Sequence, residues 1–250
     1  MNHNLNLNTI ALICNVYYRN KVRTDAEGPQ YWLSPFAGFL PGVIIAVLCG
    51  TFVFTMGSVG GGILTAILAP LFLEILTGWR GLEVTVAVCD RLIGGETFSE
   101  ILNPADRKLS DGMQPKILFA SIYLLRMAAF GLIASSGNAV WFLFVLGGAY
   151  LIRGEILAEE EFDPEAPQYG NWIIYVVGCL LAGMLTFHWM ALAALPAAIL
   201  LTILLLWGIR RILNAFSAKT EFWQMELFGY FAENLLLLAG LILFGRTLHG

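Results

Sequence analysis

Charge is what this chain has least of: 13% of its 250 residues are Asp, Glu, Lys or Arg, against roughly a quarter in soluble domains. With 58% hydrophobic residues and a mean hydropathy of +0.74, a water-soluble globule is excluded. No block of Lys and Arg is present, which removes nucleic acid as a partner. A net charge of -4 is too small to specify any other macromolecule. The four cysteines, Cys14, Cys49, Cys89 and Cys179, form no CxxC pair, so they read as small buried hydrophobes rather than metal ligands or a redox couple. No repeat of fixed period stands out. Met1–Gln30 is polar apart from Ile10–Cys14 and shows no signal-peptide pattern, so the first span is expected to direct insertion itself.

What the chain does have is seven apolar stretches: Phe36–Met56, Gly61–Leu76, Ile117–Ser135, Val140–Ile152, Trp172–Phe187, Trp189–Ile209 and Phe228–Phe244. Most approach the ~20 residues a helix needs to cross hydrocarbon. The connections alternate. Gly57–Gly60, Ser136–Ala139 and His188 hold no charged residue, whereas the intervening links are long and charged. Of the 14 Lys and Arg, only Arg126 and Arg246 fall off the side that carries Arg19, Lys21 and Arg23. The positive-inside rule makes that side the cytoplasm.

The expected fold is therefore all-α: a polytopic integral membrane helical bundle of about seven transmembrane helices, with short amphipathic helices in the cytoplasmic loops. Residues 1–35 read as a cytoplasmic segment in which Asn8–Tyr18 lies on the membrane surface. Residues 36–250 read as one transmembrane domain. The expected location is the bacterial inner membrane, with the N-terminus cytoplasmic.

Glycines at 57, 60, 61 and 62 predict an antiparallel hairpin of the first two spans, and Pro41, Pro70 and Pro196 predict kinks. Arg126 lies inside the third span, where an unpaired charge is costly. It should turn inward and pair with Glu74 or Glu233. Trp32, Trp141, Trp172, Trp189 and Trp207 sit near span ends, as interfacial anchors do. His188, the acidic run Glu159–Glu165 and Arg210–Arg211 read as an interfacial hydrogen-bonding group, a solvated loop and a topological anchor.

Chemistry is expected in the cytoplasmic loop 79–115. Helical spacing puts Glu83, Ala87 and Asp90 on one face, and two carboxylates two turns apart can flank a diphosphate-bound metal. Beyond Asn103–Pro104, Asp106 and Asp111 add acids, while Arg107 and Lys108 add bases for phosphate. Arg153, closing the short fourth stretch, adds a further cation. On spacing alone, a solvated amphipathic connector is the competing reading.

The order of these features resembles the cobalamin synthases, the adenosylcobinamide-GDP ribazoletransferases. Tyr31–Trp32–Leu33–Ser34–Pro35 is similar to the family's Tyr/Trp-x-x-Pro stretch. Leu76–Thr77–Gly78 leads into a segment aligned with His-Leu-Asp-Gly-Leu-Ala-Asp-x-Cys/Ala-Asp-Gly. There Leu82, Cys89 and Asp90 match and Glu83 replaces the first aspartate. Gly81 stands in the histidine position, Ala87 in that of the middle aspartate and Arg91 in that of the following glycine. Glu100–Ile101–Leu102 with Asp106–Arg107 and Asp111–Gly112 looks like a lengthened form of the next motif. Ile152–Arg153–Gly154–Glu155 is similar to its later Ser-Arg segment.

The resemblance implies a membrane-bound, Mg-dependent transferase of late cobalamin biosynthesis. It would join adenosylcobinamide-GDP to alpha-ribazole or its 5'-phosphate and release GMP. Glu83 and Asp90 would hold magnesium; Asp90, Asp106 and Asp111 would be catalytic; Arg80, Arg107, Lys108 and Arg153 would bind phosphate. The implied partners are the corrinoid nucleotide, alpha-ribazole and the bilayer, with a homo-oligomer admitted. Two other classes stay open. Asn103-x-x-Asp106-x-x-x-x-Asp111 is similar to the diphosphate motif of intramembrane prenyltransferases, and a catalytically degenerate membrane protein would also tolerate Ala87.

Overall fold

The computed structural model describes residues 34–102, 112–161, 169–185, 189–216 and 222–244. Every regular element among them is a helix: α1 Ser34–Leu76, α2 Arg80–Ile93, α3 Phe98–Leu102, α4 Met113–Ser135, α5 Trp141–Glu161, α6 Tyr169–Leu185, α7 Trp189–Ala215 and α8 Phe222–Phe244. Four helices, Ser34–Leu76, Met113–Ser135, Ala194–Ala215 and Trp223–Leu243, are long and apolar enough to cross a membrane, and Asn171–Met184 is a shorter apolar one. Burial is inverted relative to a soluble protein. Phe54, Leu124, Ile173, Leu200 and Ile242 face outward, whereas Glu74, Arg126, Arg153, Glu155, Glu226 and Glu233 are buried. Lipid accepts that arrangement and water does not. The helices are those of a membrane-embedded protein.

Although α1 runs for 43 residues, it consists of two limbs. Gly57 leaves helical geometry at φ 76°, ψ 172°. Beyond it, a Cβ added to Gly61 would stand 2.5 Å from the Val53 backbone. Residues eight apart in an unbroken helix are separated by about 12 Å along the axis, so the chain has reversed. The hairpin expected from the glycine cluster is present, with its turn at Gly57.

Small residues then let the limbs approach their neighbours. The first limb lies on α5, where a Cβ at Gly38 would stand 2.3 Å from the Leu146 carbonyl oxygen; the second lies on α4, where Gly62 faces Gly131 and Ser135. Backbones this close gain dispersion contacts that lipid tails cannot supply.

At the centre of the bundle stands α5, buried almost throughout from Trp141 to Ile156, as an all-round apolar helix must be. It packs against α1, α6, α7 and α8. Phe39 fills the space over Gly147 and Gly178, and the Tyr175 hydroxyl sits 3.0 Å from Thr202 Oγ1 beside Gly148. Trp141 differs from the interfacial anchor expected of it. It is 1% exposed, its indole N–H donates to the Leu236 carbonyl at 2.9 Å, and its ring fills the gap left by Gly240. Proximity to a span end did not reveal that a glycine on another helix makes room for it. By contrast, Trp207 is 60% exposed and carries Arg211 over its ring. Trp32 lies outside the described residues, as do the expected surface segment Asn8–Tyr18, His188 and Arg246.

Several helices outrun the apolar stretches. α4 starts at Met113, α5 continues to Glu161 and α8 starts at Phe222. In α5 and α8 the added turns bury polar groups, Arg153 and Glu155 in one and Gln224 and Glu226 in the other. Hydropathy reads those groups as span ends; their partners make them interior.

Candidate functional site

The site starts where α1 ends. The Trp79 amide donates to the Glu74 carbonyl at 2.8 Å, and Gly78 and Trp79 both adopt the left-handed region, at φ 62° and 66°. Such a φ is uncommon for a bulky residue. This tight turn sets the first turn of α2 against the end of α1, with Gly81 lying against the Tyr230 ring of α8 and near Glu74 Oε2. Only a residue without Cβ fits there, because a Cβ would come within 2.7 Å of that ring.

Beneath α2 lies a buried ion cluster. From α4, the Arg126 guanidinium donates to Glu74 of α1 and to Glu233 of α8, and its Nη1 also donates to the Tyr230 hydroxyl at 2.9 Å. Its charge stands over the Tyr230 ring at 4.6 Å. Glu233 is shared. Its other oxygen lies 3.7 Å from Arg153 of α5, whose Nε is 3.7 Å from Glu226. Arg153 crosses α8 where Gly229 leaves the backbone bare. Glu226, Gly229 and Glu233 follow one another at steps of three and four, so they form one face of α8.

Three carboxylates and two guanidiniums thus lie within the bundle, a formal surplus of one negative charge. Glu74 sits at the N-terminus of α2, where the helix dipole favours an anion. Glu74 Oε2, Arg126 Nε and Arg153 Nη1 have no hydrogen-bond partner among the described residues. A second group, linking α5 to α6 and α7, ties Glu155 to Asn171 at 2.9 Å and to Arg210 at 3.1 Å. Arg210, expected to be a topological anchor, therefore also pairs.

The amphipathic face pattern of α2 is as the spacing predicts. Val84, Thr85 and Cys89 turn towards the bundle and are buried, while Glu83 is exposed and Asp90 half-buried on the opposite face. Burial pushes the Cys89 thiol up, which suits an inert packing residue. Helix α3 opens with Thr97 as N-cap. The Thr97 amide and hydroxyl both donate to the Glu100 carboxylate, at 2.7 and 2.8 Å, and hold its pKa below the usual carboxylate range. α8 anchors this connector through Trp223 to the Ile101 carbonyl and Gln224 to the Leu102 carbonyl, at 3.0 and 2.5 Å.

Of the residues expected to do chemistry, Glu83 and Asp90 share the outer face of α2. Arg153 stands apart from them, held inside by Glu226 and Glu233 rather than presented on a loop. Arg80 opens α2, though its side chain is outside what is described. Asp106, Arg107, Lys108 and Asp111 lie outside the described residues. No group of three or more His, Cys, Asp or Glu side chains among the described residues is placed to hold a metal. Seven residues of helix set Glu83 and Asp90 about 10.5 Å apart along the axis. The Arg153–Glu226–Glu233 link was missed from the sequence, although the Glu226-x-x-Gly229-x-x-x-Glu233 spacing would have shown it.

Compared with protein-family models, curated proteins and solved structures, the chain matches none.

Proposed function

We propose that the chain is a seven-span protein of the bacterial inner membrane that transfers a phosphate-linked group at its cytoplasmic face, in the manner of the cobalamin synthases it resembles. The seven spans would be the two limbs of α1 and helices α4 to α8. The observation that carries the reading is the seating of α2. Its first turn is fixed on a buried ion cluster, so Glu83 and Asp90 project together from a helix anchored at its start rather than from a loop.

Preorganisation of this kind is what phosphoryl transfer asks of a protein, since most of the work is positioning and charge neutralisation. Glu83 and Asp90 would hold magnesium through a shared diphosphate, and the ion would neutralise charge on the leaving group. Asp106 or Asp111 would accept the proton of the attacking hydroxyl of alpha-ribazole. Arg80, Arg107 and Lys108 would bind the diphosphate. Arg153 would act from inside by fixing α8 under α2.

The test is magnesium-dependent release of GMP from adenosylcobinamide-GDP by purified membranes. Replacing both acids, Glu83→Gln with Asp90→Asn, should lower that rate at least ~10-fold. Insertion should be unchanged, with cysteines at 111 and 137 still labelled from opposite faces. Absence of GMP release from the unaltered protein, or a rate insensitive to the double substitution, would remove this reading.

A further inference from the structure

Hydropathy places α2 and α3 in a cytoplasmic loop, yet the residues they meet lie well inside the spans. Gly81, in the first turn of α2, lies against the Tyr230 ring, eight residues past the start of α8 at Phe222 and so about 12 Å along its axis. Val84 and Leu92 line one cavity with Ile122 and Ala129 of α4, nine and sixteen residues past Met113, or about 14 and 24 Å. Helices α4 and α8 have 23 residues each, about 35 Å of helix for a hydrocarbon core of roughly 30 Å. Placing the whole excess on the cytoplasmic side still leaves Tyr230 about 7 Å and Ile122 about 9 Å within hydrocarbon. The far end of α2 is shallower. Arg91 stands over the Trp223 ring at 5.9 Å, in the first turn of α8, where interfacial tryptophans sit. α2 therefore slants from hydrocarbon depth out to the membrane surface.

The exposed side chains match that course. Leu92, Ile93 and Phe98 are 53%, 40% and 44% exposed, an apolar cluster that needs a cover other than water. Leu92 shares its cavity with Leu125 and Phe231, which are about half exposed on α4 and α8 at a depth where lipid surrounds the bundle. The apolar edge of the connector is thus continuous with the lipid-facing wall of the spans. Phe98 extends it to the end of α7, where its ring meets that of Phe216 at 5.2 Å. Charge keeps clear of this edge. Glu83 and Asp90 lie on the face of α2 opposite Leu92, and Arg91 is paired with Glu96 at 3.2 Å.

We infer that the α2–α3 connector is a lipid-contacting element: acyl chains of the cytoplasmic leaflet cover Leu92, Ile93 and Phe98, while Glu83 and Asp90 face the headgroup layer. An amphipathic helix rests at the boundary in this way, its apolar side in the acyl region and its carboxylates towards water. Any molecule that uses the outer face of α2 is then met at headgroup level rather than in open cytoplasm. The inference is independent of whether that face performs phosphoryl transfer.

The unaltered full chain, reconstituted in nanodiscs of phosphatidylcholine with a diazirine in one acyl chain, can be photolysed and the inserted lipid mapped by peptide mass spectrometry. Leu125 and Phe231 serve as internal standards for lipid contact. Leu92, Ile93 and Phe98 should be labelled as strongly as these two, with label lost at Glu83 and Asp90. Label on Leu125 and Phe231 without label on the connector would mean that water, a second copy or another protein covers the edge, and would overturn the inference. Label spread equally over Glu83 and Asp90 would overturn the headgroup orientation. Absence of label from Leu125 and Phe231 as well would sink it too, because the wall that the connector continues would not face lipid.

Discussion

Replacing Arg126 with leucine is expected to remove a large part of the protein's stability, the largest loss from any single side chain here. The substitution leaves two carboxylates in the bundle interior facing an apolar side chain. Breaking a buried pair by removing one partner costs about 3–5 kcal/mol, a large part of a total stability of roughly 5–15 kcal/mol. Neutralising the orphaned acids should reverse most of the damage. Arg126→Leu combined with Glu74→Gln and Glu233→Gln is expected to be more stable than Arg126→Leu alone, since the desolvation penalty goes with the charges. The two acids should not contribute equally. Glu233 keeps Arg153 at 3.7 Å, whereas Glu74 is left with only the N-terminus of α2. Adding Glu74→Gln to Arg126→Leu should therefore recover more than adding Glu233→Gln. Unfolding in detergent, followed by far-UV circular dichroism, measures all four. Equal stability of the single and triple variants would show that the cluster is not electrostatically coupled.

Part of that cluster was legible in the sequence. Ionisable residues inside apolar stretches are few, and each must find a partner, so Arg126 pointed to Glu74 and Glu233; the structure pairs it with both. The hairpin was legible because four glycines in six residues have no use in the middle of a helix. Arg153 was harder. Hydropathy ended its span at Ile152 and offered its charge to the cytoplasm, but α5 continues through Glu161 and its phase turns Arg153 inward over Gly229. Trp141 failed for the same reason: a one-dimensional profile locates a residue along the membrane normal but not around the helix. The two faces of α2 were legible from period alone. The cavity of about 300 Å³ that the inner face closes against α4 and α8 was not, because it depends on the distance between those two helices, which no local pattern encodes.

Gly57 and Gly61 should respond to substitution for different reasons, and the contrast tests the reversal of α1. At Gly57 a Cβ meets nothing within 4 Å, yet φ is 76° with ψ at 172°, a region open essentially to glycine alone, so the cost is backbone strain: about 1–3 kcal/mol for alanine, more for valine and no less for asparagine, whose tolerance of positive φ is confined to the left-handed helical region. At Gly61 no left-handed backbone is involved, yet a Cβ would stand 2.5 Å from Val53 Cα and N, and backbone cannot rotate out of the way as a side chain can. Gly61→Ala must push the limbs apart. The second limb has nowhere to go, because a Cβ at the adjacent Gly62 would already stand 2.9 Å from the Gly131 carbonyl oxygen of α4. Overpacking of this kind costs about 1–3 kcal/mol for a small increment, and Gly61→Val should exceed that. The expected order of stability in detergent unfolding is thus Gly57→Ala and Gly57→Asn, alike, then Gly61→Ala, then Gly61→Val, from mildest to most severe. If Gly57→Asn proved clearly milder than Gly57→Ala, or Gly61→Val were tolerated, the limbs could not meet as described. The support of α2 by Glu74, which lies near the end of the second limb, would then lose its basis as well.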